Sequence, residues 1–234
     1  MPTLHFLAEV PFFRDLSPEE LTQIRKLFIE RRYKKGAPIF FEGDPGEEFF
    51  IVKYGTVKIF RFDRSREVIL ALFREGDYFG EMAVLQKHEV RSASAQTLDA
   101  CVLYAMKRKD FEHLLESNPR LTLKLVESLM DRLRKANEQI EDLTFLDARS
   151  RIIKNLLNLA EEHGVTQDDG RLIDLKLTHQ QIADMVGTVR ETVTKVLLEL
   201  QDKALISVDK KKILLKDLPA LESLIQSHTL NSSR

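Results

Sequence analysis

Gly80-Glu81, followed ten residues later by Arg91-Ser92, is the set in this chain best suited to hold a charged small molecule. Gly80 lets a ligand approach the main chain closely, and amides at a helical start carry partial positive charge for an anion. The planar fork of Arg91 can grip a phosphate, and Ser92 can add a hydroxyl donor. Glu81 accepts hydrogen bonds when ionised, which suits a ribose 2′-hydroxyl better than a phosphate. Phosphate and ribose together describe a cyclic nucleotide. A bare Gly-Glu would read as a surface hairpin; the spaced set and its surroundings favour the ligand.

A second constellation has the chemistry of DNA reading. Thr178 is an expected cap for a short helix over 180–185, Gly187 breaks it, and a second helix is expected from about Thr188 to Gln201. Ile182, Ala183, Val186, Val193, Val196, Leu197 and Leu200 form the inward faces. Arg190, Glu191 and Lys195 project together near the start of the second helix, where side chains reach base edges in a major groove. Two apolar stretches, 206–208 and 213–215, flank Asp209-Lys-Lys-Lys212, a hairpin with a basic tip that makes the whole a winged helix-turn-helix.

These residues need a frame. Short apolar stretches at 38–41, 49–52, 57–59 and 68–73 are separated by Gly36, Gly43-Asp44, Gly55 and Gly76-Asp77. Such spacing predicts an antiparallel roll or barrel. After Asn118-Pro119 the period changes: Val126, Leu129, Leu133, Ala136, Ile140 and Leu143 recur in steps of three and four. That heptad seam, flanked by charge, predicts a long helix that pairs with its own copy across a two-fold axis. Asp147 is an expected cap for a helix over 148–162, with a turn at Asp168-Asp169-Gly170 and a strand over 172–177. The fold class is therefore α+β: a β-roll sensor domain over residues 1–118, a dimerisation helix over 119–147 and a winged helix-turn-helix domain over 148–234.

The glycine and aspartate spacing, the Gly80-Glu81 to Arg91-Ser92 cassette and the Thr178 to Lys195 stretch together resemble the Crp/Fnr family of bacterial transcription regulators, from about residue 10 to about 216. The resemblance implies an allosteric homodimer that binds a near-palindromic double-stranded operator. Arg190 and Glu191 match the family's base-reading pair, and Lys195 stands where a second Arg is usual. His179, Thr188 and Thr192 become phosphate contacts, with Lys211 in the wing; for His179 an ordinary surface role reads equally well. Where cyclic-AMP-binding members offer two adjacent hydroxyls to the base, this chain has Ala136 and Asn137. Asn137 can still read a purine edge through its amide. Cyclic AMP therefore leads as effector, with another cyclic nucleotide, a non-nucleotide effector or none as alternatives. No covalent cofactor is implied. Haem is not expected, since neither His nor Cys stands at Gly80, Glu81 or Met82, and His88 reads as loop surface. The family uses the 161–170 region against RNA polymerase, which extends to this chain as a partner.

Composition narrows the classes. The 234 residues are 43% hydrophobic with a net charge of −1, so sizeable cores can form and any DNA-binding face must be local. A single cysteine, Cys101, excludes intrachain disulfides and a cysteine-ligated iron–sulfur cluster. No signal-like block or membrane-length apolar run is present, which predicts a cytoplasmic protein without membrane contact. The six histidines lack metal-ligand spacing and no nucleophile elbow occurs, so an enzyme is not expected. A cyclic-nucleotide-binding interaction module without DNA contact is the reading from another class, and it leaves 178–212 unexplained.

Overall fold

The computed structural model describes residues 4–63, 66–86 and 90–231, with side chains to residue 225. The chain divides into two compact units, residues 1–132 and 133–234.

The first unit opens with α1 (Leu4–Glu9), a 3₁₀ turn (Pro11–Phe13) and α2 (Pro18–Arg25). Ser17 starts α2 through a capping box: Glu20 N–H donates to Ser17 Oγ at 3.2 Å, and Ser17 N–H donates to the Glu20 carboxylate at 2.7 Å. Strands β1 (Ile29–Tyr33), β2 (Pro38–Phe40), β3 (Glu48–Tyr54), β4 (Val57–Asp63), β5 (Arg66–Phe73) and β6 (Tyr78–Phe79) follow. Then come α3 (Glu81–Leu85), β7 (Ser94–Thr97), β8 (Cys101–Lys107), α4 (Arg108–Ser117) and α5 (Pro119–Phe145), which continues into the second unit. Two antiparallel sheets, β1-β8-β3-β6 and β2-β7-β4-β5, form the roll.

Phe49, Phe50, Ile51 and Val52 are all buried because β3 has a core on each face. Phe49 and Ile51 join a cluster with Phe12, Phe13, Tyr104, Phe111 and Leu121 under the helices. Phe50 and Val52 join Val57, Phe79, Ala95 and Leu103 between the sheets. Period-2 alternation sends neighbours to opposite faces, so a strand buried on both sides reads as a continuous apolar run. Cys101 lies in the second cluster, and burial, reinforced by Asp99, pushes its thiol up to about 12.

Of the six expected seam residues, Val126, Leu133, Ala136, Ile140 and Leu143 are exposed and Leu129 alone turns inward. Leu129 packs against the core of its own unit, while Leu123 and Met130 stand out at 65% and 61% exposed. Val126, Leu133 and Ile140 are exposed as expected.

In the second unit, α6 (Ala148–His163) is capped by Asp147, whose carboxylate accepts from Ser150 N–H at 2.7 Å. The join at 145–147 is braced. Arg151 donates to Leu146 O at 2.7 Å and to Val186 O at 3.0 Å, and Lys154 pairs with Asp142 at 2.6 Å. Next come β9 (Gly164–Gln167), β10 (Gly170–Ile173), α7 (His179–Val186), α8 (Arg190–Asp202), β11 (Ile206–Asp209), β12 (Lys212–Leu215) and α9 (Leu218–Asn231). The sheet order is β11-β12-β10-β9. The expected strand over 172–177 stops at Ile173, and the 161–170 region is the end of α6 plus a β-hairpin rather than an open loop.

Candidate functional site

The cassette is built on a sharp turn. Strand β6 runs into Gly80 at φ +86, the residue before α3. The positive φ demands glycine, and a Cβ there would in addition press on Arg91 Nη1 at 2.8 Å. Arg91 is 4% exposed. Its Nη1 donates to Gly80 O at 2.8 Å, its Nη2 donates to Glu48 O at 2.6 Å, and its guanidinium lies 4.1 Å from the Phe40 ring centroid. Burial pulls the Arg91 pKa down, partly offset by Glu48 and Glu81, and an arginine has ample margin to stay charged. Because α3 has only five residues, the positive charge of the site comes mainly from this side chain.

Glu81 is 2% exposed and accepts from Arg132 Nη1 at 2.8 Å. Arg132 also donates to Tyr78 O at 2.6 Å, and its guanidinium lies 4.8 Å from the Phe73 and 4.7 Å from the Tyr78 ring centroid. Two polar atoms of the cassette stay unsatisfied within the protein: Arg91 Nε, a donor, and Glu81 Oε2, an acceptor. A buried polar atom without a partner costs about 1–3 kcal/mol. A ligand with an anionic acceptor beside a hydroxyl would complete both.

Arg108 braces the cassette from below. It donates to Gly46 O at 3.1 and 2.8 Å, to Gln86 O at 3.3 Å and to Ala83 O, satisfying carbonyls at the end of α3. Neither Arg108 nor Arg132 is singled out by any sequence motif. Arg132 follows Leu129 by three residues, the spacing that puts both on one helix face, and Leu129 faces the core. Ser92 and Asn137 are exposed, the latter on α5. His88 lies outside the described residues.

In the second unit, Thr178 and Gln181 form a capping box and Gly187, at φ +66, turns the chain between α7 and α8. Val189, rather than Thr188, precedes the first turn of α8. Arg190, Glu191 and Lys195 are exposed near that end. Thr188 and Thr192 are half-buried. His179 is also half-buried, with Nδ1 2.8 Å from Thr194 Oγ1. Arg149 and Lys203 clamp Glu199 at 2.8 and 2.7 Å and hold its carboxyl down at about 2, which fastens α8 to α6. The wing tip is Lys210-Lys211, both exposed. The third wing lysine departs from expectation: Lys212 is ion-paired with Asp174.

Among the described residues no group of three or more His, Cys, Asp or Glu could hold a metal, and no helix is long and apolar enough to cross a membrane.

A β-roll with a buried Arg–Glu pair, a long helix and a winged helix-turn-helix have the architecture of a transcription regulator. Residues 30–118 match the cyclic nucleotide-binding domain and residues 150–224 the Crp-like helix-turn-helix domain. The chain is 34% identical to the cyclic AMP receptor protein of Thermus thermophilus, over 92% of this chain and 96% of that one. It is 36% identical to the global nitrogen regulator of a Nostoc species, over 79% and 84%. Among solved structures, the c-di-GMP-responsive global regulator CLP of Xanthomonas campestris aligns with a TM-score of 0.74 at 26% identity, covering 86% and 100%. The chain belongs to the Crp/Fnr family of transcription regulators. It is a regulator, not an enzyme, and its helix-turn-helix binds DNA.

Proposed function

We propose that this regulator is a homodimer switched by a cyclic nucleotide, with cyclic AMP as the leading effector. The observation that carries the reading is the orphaned pair in the cassette, Arg91 Nε as donor and Glu81 Oε2 as acceptor. A cyclic phosphate would take the first and a ribose 2′-hydroxyl the second. Gly80 and Ser92 complete the phosphate end, and Asn137 is the residue of α5 available to a purine edge. Exposed Leu123, Val126, Met130, Leu133 and Ile140 support dimerisation through α5, because a solvent-facing apolar stripe of this length favours a partner helix.

Effector binding biases one arrangement of the dimer and so the spacing of its two recognition helices. Arg190, Glu191 and Lys195 read bases. His179, Thr188, Thr192 and Lys211 contact phosphates of a near-palindromic operator with half-sites about 34 Å apart. RNA polymerase is the further partner, approached through the 161–170 hairpin. A cytoplasmic location follows from that role. Ala136 and Asn137, in place of two hydroxyls, favour a second reading in which the effector is a different cyclic nucleotide. Calorimetric titration with adenine, guanine and dinucleotide cyclic phosphates tests both. Binding of cyclic AMP alone supports the first, preference for another supports the second, and no binding by any of them rejects the cradle as a nucleotide site.

A further inference from the structure

The exposed face of α5 has a phase that gives Asn137 a second task beside the purine edge, since its amide has one N–H for each. Leu123, Val126, Met130, Leu133, Asn137, Ile140 and Thr144 follow one another in steps of three and four. All are exposed in the single chain. In a heptad written from Leu123, positions a are Leu123, Met130, Asn137 and Thr144, and positions d are Val126, Leu133 and Ile140. Asn137 is therefore a lone amide toward the C-terminal end of an otherwise apolar stretch from Leu123 to Ile140.

The shapes around it matter. Two-stranded parallel coils favour β-branched side chains at a and Leu at d, whereas Leu at a with Ile at d favours more strands. Here unbranched Leu123 and Met130 occupy a, while β-branched Val126 and Ile140 occupy two of the three d positions. The apolar residues alone do not specify a pair. We infer that Asn137 fixes the register and the two-stranded state of the dimer by pairing its amide with the partner's Asn137. This rests on the dimer proposed above.

The amide carries both a donor and an acceptor, so two copies satisfy each other across a two-fold axis: one Nδ2–H donates to the other Oδ1. A slip of one heptad would set Asn137 against a Met130 or a Thr144, and an antiparallel arrangement would also separate the two amides. Against Met130 the amide is buried without a partner. Alternatives are thus disfavoured more than the native pairing is favoured, which is how one polar a residue selects at a cost in strength.

The full-length chain carries the test. Sedimentation equilibrium of the wild type and Asn137→Leu gives strength and strand number, with Glu138→Leu, one position off the seam, as the control. Register is read by mixing Leu133→Cys and Ile140→Cys chains, whose d positions lie one heptad apart; buried Cys101 stays silent. We expect Asn137→Leu to associate about tenfold or more tightly, or to form species larger than a dimer, and to give the mixed disulfide. The same cysteine pair with Asn137 retained should give none, and Glu138→Leu should behave as wild type. A dimer unchanged by Asn137→Leu in strength, size and cross-linking overturns the role of Asn137 while leaving the dimer intact. A monomeric wild type overturns the dimer itself.

Discussion

Arg132 donates to Glu81 at 2.8 Å, joining a residue in the middle of α5 to the turn that carries the proposed anion cradle. The carboxylate has almost no access to water, so the guanidinium is its main stabilisation. Replacing Arg132 by Leu should lower stability by about 1–3 kcal/mol, the cost of a buried polar group losing its partner. Arg132→Lys should recover part of it, since an ammonium offers no fork. Urea unfolding of the three proteins measures this, and equal midpoints would mean that Glu81 finds another donor.

Arg91 is structural and, in the function proposed above, also faces the ligand. Arg91→Leu should cost about 2–5 kcal/mol of cyclic-nucleotide binding. It should also lower the unfolding midpoint, because Gly80 O and Glu48 O lose their donors. Arg108→Leu should disturb the cradle through α3 and weaken binding less. Titration calorimetry together with thermal unfolding separates the two contributions. Undiminished binding by Arg91→Leu would reject the cradle.

Glu199 gives a pH signature. Its carboxyl is held at about 2 instead of the usual 4.5, first by the hydrogen bond from Arg149 and then by Lys203. A depressed folded-state pKa stabilises above the unfolded value and loses that effect as pH falls through the folded one. The stability gap between wild type and Glu199→Gln should be full above about pH 4.5 and vanish toward about pH 2. The side chain is 36% exposed, so solvent screening limits the gap to about 1 kcal/mol or less. Chemical denaturation across this range is the measurement, and a gap that widened on acidification would contradict the clamp.

On the DNA side, Arg190→Ala should cost about 1–3 kcal/mol on the preferred operator and blunt preference at one base pair per half-site. Neutralising Lys210 and Lys211 should weaken all sequences alike and flatten the salt dependence, by about 0.9 in log–log slope for each DNA phosphate left without its lysine. Lys212→Gln should do less, because that ammonium is already engaged by Asp174. Mobility shifts at several salt concentrations distinguish the three.

Leu133→Glu should yield monomers, since like charges would face each other inside the seam. A dimer that survives in sedimentation would move the interface off α5.

Legibility followed the range of the interaction. The turn glycines, the change of period after Pro119 and the caps at Asp147 and Thr178 are local, and the corresponding strands and helices were readable from sequence. Helix α4 and the short α1 and α2 were not, because brief amphipathic segments leave little periodic signal. The cassette residues were readable as a spaced set, whereas Arg132 and Arg108 act across 51 and 62 residues of chain, which no spacing rule reaches. The period of the exposed stripe on α5 was visible, and Leu129 is the one expected position that turns inward. Leu129, Ala136 and Leu143 run beside the stripe at position g, and Leu129 turning into its own core favours a and d as the outer face.

The wing tip carries one more consequence. Lys210 and Lys211 both adopt positive φ, 46° and 69°, as a two-residue hairpin turn with paired Asp209 and Lys212 requires. Asn-Gly would take that shape with less strain, since a left-handed residue with a Cβ costs about 1–2 kcal/mol. Each such replacement would delete a positive charge. Thermal robustness and grip on nucleic acid are therefore opposed at the same two codons, and a screen that selects variants only for heat resistance should drift toward a sturdier wing that binds more weakly.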